Sequence, residues 1–451
     1  MESQTTFRIN IIGAGIAGLA AAVALARKGH NVTVYESNTE LSELGAGIQL
    51  QPNATRILYR WGLQDEFRKL SNEPSVMKLM RYSDARVVGE IAHNPQQEWE
   101  YGFPHWQCYR PDLQMLLYDA AVAAGAKVQF SSRVVDADVD KGIIILGDGR
   151  REEADLVVVA DGIQSRFRHL LPDNADAKAV TCNEFCFRAV ISRELMESDP
   201  ETARLMKGED SMVWSGPGVV VLGYPVSGSE NRRYNTLIST PRPCDIPVGR
   251  WGEPGDIQEA QGLVKDFCPV VRKLWSLVAA DDCVKWTLGE VPKIESYVST
   301  SGRSVLIGDA AHAIPPQAGQ GGGMSLEDCA ALGEFVFAAT NVDDLARKMK
   351  ALQDFRQPRI EIIRALAHGN QSFMTLPDGP AQQQRDQLWG AMTAKWKAEL
   401  AELGEEGIKA KPRPRPVPGN AGDDMRSPES REDMFGYDVF AEATKYLGTL
   451  E

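Results

Sequence analysis

Cysteine is sparse and unpatterned in this chain. The seven residues Cys108, Cys182, Cys186, Cys244, Cys268, Cys283 and Cys329 are odd in number, scattered, and form no CxxC. That usage argues against a disulfide framework and a zinc site, and a reducing compartment, hence a cytoplasmic location, is expected. Histidine is sparser still, at six residues. No cluster has metal-ligand spacing and no Ser-His-Asp ordering appears, so no metal is expected. Positive charge is in deficit, with 49 Lys and Arg against 62 Asp and Glu and a net charge of −13. Neither nucleic acid nor an anionic membrane is expected as a main partner, since both select a basic face. Long hydrophobic runs are missing as well. The apolar stretch 11–26 is interrupted by three glycines and reads as strand plus helix. The start of the chain has no basic segment leading into an apolar one, so neither signal peptide nor membrane span is expected.

What is present is ordinary globular composition, 43% hydrophobic and 25% charged over 451 residues. A large core and two or three packed units are expected at that size. Residues 8–12 read as a buried parallel strand, 16–28 as an Ala/Leu-rich helix stopped by Gly29, and 31–36 as a second strand closing on an acid; together they form a βαβ unit. A helix at 113–124 and strands at 127–130, 155–160 and 304–307 read as further pieces of the same layer. Between about 179 and 291 short aromatic and β-branched runs alternate with Gly/Pro turns, as at 211–214, 219–225 and 234–239, which suggests an antiparallel sheet. Residues 327–340 and 345–369 read as closing helices and 387–403 as an amphipathic helix. The Pro-, Arg- and Asp-rich stretch 409–432 reads as an extended surface strap; its KPRPRP could also serve as an SH3-type ligand, on composition alone. No internal repeat is present.

Three motifs carry chemistry. The first is Gly13-Ala14-Gly15-Ile16-Ala17-Gly18. With 40 glycines in 451 residues the GxGxxG pattern arises by chance roughly 0.3 times per chain, so context decides its meaning. Here it follows a strand, opens a helix, and precedes an acid, Glu36, at the end of the next strand. Gly13 permits the tight turn, Gly15 lets backbone approach a pyrophosphate, and Gly18 lets helix and strand pack closely. The diphosphate would meet unpaired N–H groups at the helix N-terminus. Glu36 suits ribose hydroxyls and is unsuited to a 2′-phosphate. The second motif runs from Gly308-Asp309-Ala310-Ala311-His312-Ala313 through Pro315-Pro316 to Gly319-Gln320-Gly321-Gly322-Gly323, before a helix from about Met324. Asp309 could hold a sugar-like hydroxyl, and a flat ring could approach the bare glycine backbone. The third is Asp161-Gly162 with Ser165 and Arg168, directly after a buried strand; on physics alone it reads as structural.

In this order and spacing the three motifs resemble those of the single-component FAD-dependent aromatic hydroxylases, the group typified by para-hydroxybenzoate and salicylate hydroxylases. Glycine turn and Glu36 resemble the family's ADP-binding motif. D-G-x-x-S-x-x-R matches at Asp161, Gly162, Ser165 and Arg168, and GDAAHAxxPxxGxG matches from Gly308 to Gly321. Smaller echoes are Gly45-Ala46-Gly47-Ile48 with Pro52-Asn53, and Tyr109-Arg110-Pro111-Asp112-Leu113. The resemblance covers residues 8–369, and fungal salicylate-hydroxylase-like enzymes, many serving secondary metabolism, are the closest in flavour.

The resemblance implies an α/β Rossmann-type FAD-binding domain that is discontinuous (1–75, 102–178 and 288–370), an antiparallel-sheet substrate domain (76–101 and 179–287), and C-terminal helices with a strap (371–451). It implies tightly but non-covalently bound FAD, NADH or NADPH as co-substrate, and O2. One oxygen atom would pass, through a flavin hydroperoxide, to an electron-rich aromatic, phenolic or indole-type molecule. It assigns the glycine turn with Ala17 to the cofactor and Glu36 to the adenosine ribose. Gly47 and Arg110 go to the FAD surface and Asp309 to the ribityl–pyrophosphate region. Gly321 and Gly322 go beside the isoalloxazine, and Pro316 to its reactive side. Asp161 would serve FAD and a passing nicotinamide. Two rival functions are an FAD oxidase or reductase on the same fold and a non-catalytic flavin redox sensor. Monomer and homodimer are both open.

Arg188, in Phe185-Cys186-Phe187-Arg188, has two readings. In the first, which the resemblance implies, it would face a pocket and hold an anionic or carbonyl-bearing substrate or donate a hydrogen bond during oxygen transfer. Otherwise it faces outward in a salt bridge, with Phe187 and Ala189 toward the core; strand alternation alone does not choose. Tyr224 is a pocket candidate with a core tyrosine as the alternative. His312 reads as a loop-packing residue, and His105 and Trp106 as possible neighbours of the pocket.

Overall fold

The computed structural model describes residues 5–42, 45–226, 232–370, 373–413 and 427–450. Five parallel strands form the first sheet, in the order Ser304–Leu306, Leu156–Val159, Arg8–Ile12, Asn31–Tyr35, Lys127–Gln129. These are the five segments expected to share a layer. The apolar runs of the central strands follow from burial on both faces, which leaves no polar side to alternate with; all four residues of Leu156–Val159 are buried, whereas the edge strand Lys127–Gln129 is exposed to half-buried. The helix Ile16–Ala26 is buried over ten of its eleven residues. Its small side chains allow close approach by the helix Gly321–Phe337, where a Cβ on Gly333 would come within 3.2 Å of the Ala24 Cβ.

The second sheet has eight strands, in the order Glu253–Pro254, Val284–Glu290, Val180–Ser192, Arg233–Thr240, Val219–Val226, Ser211–Gly216, Val76–Arg81, Val87–Ala92. All its pairs are antiparallel except Ser211–Gly216 with Val76–Arg81, which is parallel. One face, carrying Phe185, Phe187, Ala189, Trp214, Val221 and Ile238, packs into a core with the helices Ile257–Leu263 and Pro269–Ser276. The pleat therefore sends Glu184, Cys186 and Arg188 to the other face. A small antiparallel sheet of Gly47–Leu50, Trp106–Tyr109 and Ser71–Asn72 lies where the two units meet. A further meander of Val134–Asp138, Ile143–Leu146 and Arg151–Glu153 was not anticipated from sequence.

Three C-terminal expectations are corrected. The helix expected to begin near Met324 begins at Gly321, so the three glycines are its first turn. The helix expected at 387–403 runs from Pro380 to Ala410, with a non-helical Gly404 inside. The strap expected at 409–432 is not extended throughout: Pro428–Arg431 is helical and continues into the π-helical turn Glu432–Gly436. Residues 414–426 of that strap, with the second half of KPRPRP, lie outside the described residues. No helix among the described residues is long and apolar enough to cross a membrane. None of their His, Cys, Asp and Glu residues form a group of three or more that could hold a metal.

Candidate active site

Parallel strands bring all their C-terminal ends to one edge of the sheet, where open α/β sheets bind ligands. Ile12, Val159 and Leu306 are in register, so Gly13, Asp161 and Gly308 follow side by side. The three motifs interlock there. Gly13 adopts φ +99°, and a Cβ on it would lie 2.7 Å from the Ala160 carbonyl oxygen and 3.5 Å from the Asp161 Cα. A Cβ on Gly18 would fall 1.9 Å from the Gly13 oxygen, and one on Gly308 would fall 2.9 Å from the Ala17 methyl. Glu36 follows the neighbouring strand. Its Oε2 accepts from the Ala14 N–H at 2.8 Å and its Oε1 from the Asn38 N–H at 2.8 Å.

Arg168 is buried and clamps the second motif to the third: it donates to the carbonyls of Ala310 (2.6 Å), Ile163 (2.8 Å) and Asp309 (3.3 Å). Asp161 Oδ2 accepts from the Arg166 N–H at 2.8 Å. Its Oδ1 is buried with no hydrogen-bond partner among the described residues, and burial raises its pKa. Asp309 is exposed yet ringed by protein, as a residue lining a cleft is. That crowding raises its pKa despite the opposing pull of Arg110 and Arg168. The helices Ile16–Ala26 and Gly321–Phe337 both begin at this edge without a side-chain cap or a first-turn acid. Their leading N–H groups carry the partial positive charge that suits a diphosphate or an electron-rich ring. A Cβ on Gly321 would meet nothing within 4 Å, whereas one on Gly322 would touch Ile48 Cδ1 at 2.8 Å. The donors, the orphaned carboxylate oxygen and the bare Gly321 backbone fit a dinucleotide bearing a flat ring.

Pro316 is exposed and opens the 3₁₀ turn Pro316–Ala318, whose last residue is buried. That turn is tied to the eight-stranded sheet by Gln317, whose Nε2 donates to Glu184 Oε2 at 2.9 Å.

On the same sheet face Arg188 reaches across to the small sheet, where its Nη2 donates to the Gly47 carbonyl at 2.8 Å. Phe187 and Ala189 do face a core, but Arg188 makes no salt bridge among the described residues. Burial pushes its pKa down to about 10, against the neighbouring Tyr224; Arg110 lowers it further. Tyr224 is itself buried, which pushes its phenol up. Its ring closes on Gly47, where a Cβ would lie 2.5 Å from the phenol oxygen. Tyr224 is thus a core tyrosine by burial and a neighbour of Arg188 by position.

His312 lies 2.5 Å from Asp328 Oδ2 in a buried network with Arg356, Glu327, Arg359 and Asn53. From Asn53 the network reaches Gln320, the residue preceding the Gly321 helix, at 2.9 Å. Most of this was missed in sequence, where only Pro52-Asn53 and His312 were singled out. Asn235 was missed too: its Oδ1 accepts from the Gly47 N–H at 2.8 Å and from Arg188 Nε at 3.3 Å. Nothing local marks it.

Comparison with known proteins agrees with this geometry. The family model described as FAD binding domain matches residues 6–218 and 294–359. FAD-dependent monooxygenase OpS4 of Beauveria bassiana (strain ARSEF 2860) is 30% identical over 380 residues, covering 84% of this chain and 87% of that protein. The 6-hydroxynicotinate 3-monooxygenase of Bordetella bronchiseptica is 29% identical over 366 residues, covering 80% and 91%. The solved structure of Klebsiella pneumoniae HpxO complexed with FAD and uric acid matches with a TM-score of 0.72 at 22% identity, over 90% of this chain and 97% of that one.

Proposed function

The chain belongs to the FAD-dependent monooxygenases of the single-component aromatic-hydroxylase family, and from that footing we propose that it uses NADH or NADPH and O2 to insert one oxygen atom into an electron-rich aromatic, phenolic or indole-type molecule. The observation that carries this reading is the Gly47 backbone. Its strand meets the start of the Gly321 helix through Ile48, and its carbonyl meets a sheet face carrying a partly buried, carboxylate-free arginine and a buried tyrosine. A site of that kind holds a substrate oxygen beside a cofactor. A place in fungal secondary metabolism is part of the same proposal.

When bound, FAD supplies the activation of dioxygen and the transfer of one of its oxygen atoms. The protein's part is to bind, orient and exclude water. In this proposal the first-turn N–H groups of Gly15 to Gly18, with Ala17, hold the diphosphate and Glu36 holds the adenosine ribose. Asp309 holds the ribityl–pyrophosphate region, Gly47 and Arg110 lie at the FAD surface, and Gly321 and Gly322 lie beside the isoalloxazine. Pro316 faces the reactive side, and Asp161 serves FAD and a transient nicotinamide. Arg188 donates to a substrate oxygen and Tyr224 packs beside it. The division of the chain at 75, 101, 178, 287 and 370 belongs to the same proposal.

The test is direct. The purified protein should carry the yellow spectrum of FAD, and at least one member of a panel of phenols and indoles should stimulate NADH or NADPH oxidation in air. A flavin-loaded protein that no member stimulates would count against the proposal.

A further inference from the structure

Two of the chain's deeply buried arginines are paired with carboxylates, while buried Arg168 is held by backbone carbonyls alone. Arg356 lies 3.0 Å from Glu327 and 2.8 Å from Asp328, and Arg359 lies 2.9 Å from Glu327. Arg188, which is partly buried, is also held without a carboxylate. Its hydrogen-bond partners are neutral: the Gly47 carbonyl at 2.8 Å and the Asn235 side-chain oxygen at 3.3 and 3.2 Å. Among the described residues no carboxylate pairs with it. A cation taken partly out of water without a counter-charge is costly, and its exposed side has a charge to offer a ligand.

Asn235 determines that outcome. It lies on the strand Arg233–Thr240, beside Val190 of the strand that carries Arg188. Its Oδ1 takes Gly47 N–H and two Arg188 N–H groups, so one atom sets the arginine against the cofactor-side backbone. Its Nδ2 is buried without a partner among the described residues. Aspartate has the same shape, would do all of that accepting, and would spare the orphaned amide. It would also neutralise Arg188. Asparagine holds the guanidinium and leaves its charge intact.

We propose that Asn235 is a positioning residue that sets substrate selectivity: by holding Arg188 with a neutral acceptor, it makes the site prefer aromatic substrates that present an anionic oxygen, a carboxylate or an ionised phenol. This rests on the monooxygenase reading of the site. With Arg188 pushed down only to about 10, the cation persists at neutral pH.

The test uses FAD-loaded protein and two matched probe pairs, read by perturbation of the flavin absorbance: benzoate against benzamide, and ionised 4-nitrophenol against 4-nitroanisole. Wild type should prefer the anion in at least one pair, and which pair responds tells carboxylate from phenolate. Asn235→Asp should cut that preference by about tenfold or more, as a fixed counter-charge at contact distance does. Asn235→Ser, shorter but neutral, should bind both members of the pair more weakly and keep their ratio. The ratio separates charge from fold, because a merely structural role would move both members together. A wild type that binds no anion in preference to its neutral partner overturns the proposal, as does an Asn235→Asp variant with an unchanged ratio or an Asn235→Ser variant that loses it. Each of those outcomes on protein that retains FAD leaves the monooxygenase reading standing, whereas a protein that never carries FAD removes that reading itself.

Discussion

Arg188 and Gly47 stand 141 positions apart and are joined by one hydrogen bond of 2.8 Å, from the guanidinium to the glycine carbonyl. The bond ties the eight-stranded sheet to the strand Gly47–Leu50 of the small sheet. Three groups from the larger sheet, the Arg188 and Asn235 side chains and the Tyr224 ring, converge on this one glycine.

Gly47→Ala tests that convergence. The added methyl would lie 2.5 to 2.7 Å from three atoms of the Tyr224 phenol end, so the buried ring must move. A loss of about 1–3 kcal/mol in stability is expected from such overpacking, together with lower turnover. Denaturant unfolding and steady-state kinetics check it; a variant with wild-type stability and activity would show that the ring has room.

Gly18→Ala and Gly321→Ala should behave differently although both lie in glycine turns. At Gly18 the methyl meets backbone at 1.9 Å, so the folded protein should be destabilised whether or not FAD is present. At Gly321 nothing lies within 4 Å, so the flavin-free protein should keep its melting temperature while flavin retention through purification falls. Equal flavin retention in Gly321→Ala and wild type would remove Gly321 from the ring's surroundings.

Asp309→Ala should likewise release FAD, by losing a carboxylate that lines the cleft. Flavin content after gel filtration measures this. Full occupancy would count against its assignment.

His93 and His105 give a pH prediction. Their rings stack at 3.9 Å with a 10° interplanar angle. Burial, with Arg431 adding, pushes His93 down to about 3. Burial and His93 push His105 well below its ordinary value. Both are therefore neutral in the fold, while the unfolded chain takes up protons below about pH 6.5. Stability should be full above that pH and fall as pH drops toward the folded values, by about 1.4 kcal/mol per pH unit for each histidine. His105→Phe keeps the stack and removes two ring nitrogens that lack partners among the described residues, so its slope between pH 6 and 4.5 should be roughly half as steep. Identical slopes would mean that other groups govern acid unfolding.

Sequence shows some of this plainly and hides the rest for physical reasons. Strands buried on both faces, such as Leu156–Val159, are unbroken apolar runs and could be found from that alone. Gly13 and Gly308 carry their own turn chemistry. The face of Arg188 could not be read from alternation, because that face is set by which side of the sheet the helices Ile257–Leu263 and Pro269–Ser276 cover. The start at Gly321 goes against glycine's low helix propensity and follows from the tertiary setting of the turn. The meander after Val134 did carry a signal, turns at Gly142 and Gly149 flanking the Ile143–Leu146 run with its three β-branched isoleucines, but its strands are short. Asn235 meets Gly47 across 188 positions, and no local pattern encodes such a contact.

The central claim concerns the fate of one oxygen atom, and mass spectrometry of product formed under heavy-oxygen gas tests it most directly. With flavin-loaded protein, NADH or NADPH, and a compound that stimulates their oxidation, the product should gain one labelled oxygen atom from O2 and none from water. A product that gains no oxygen, or takes it from water while the nicotinamide is consumed, would contradict the account.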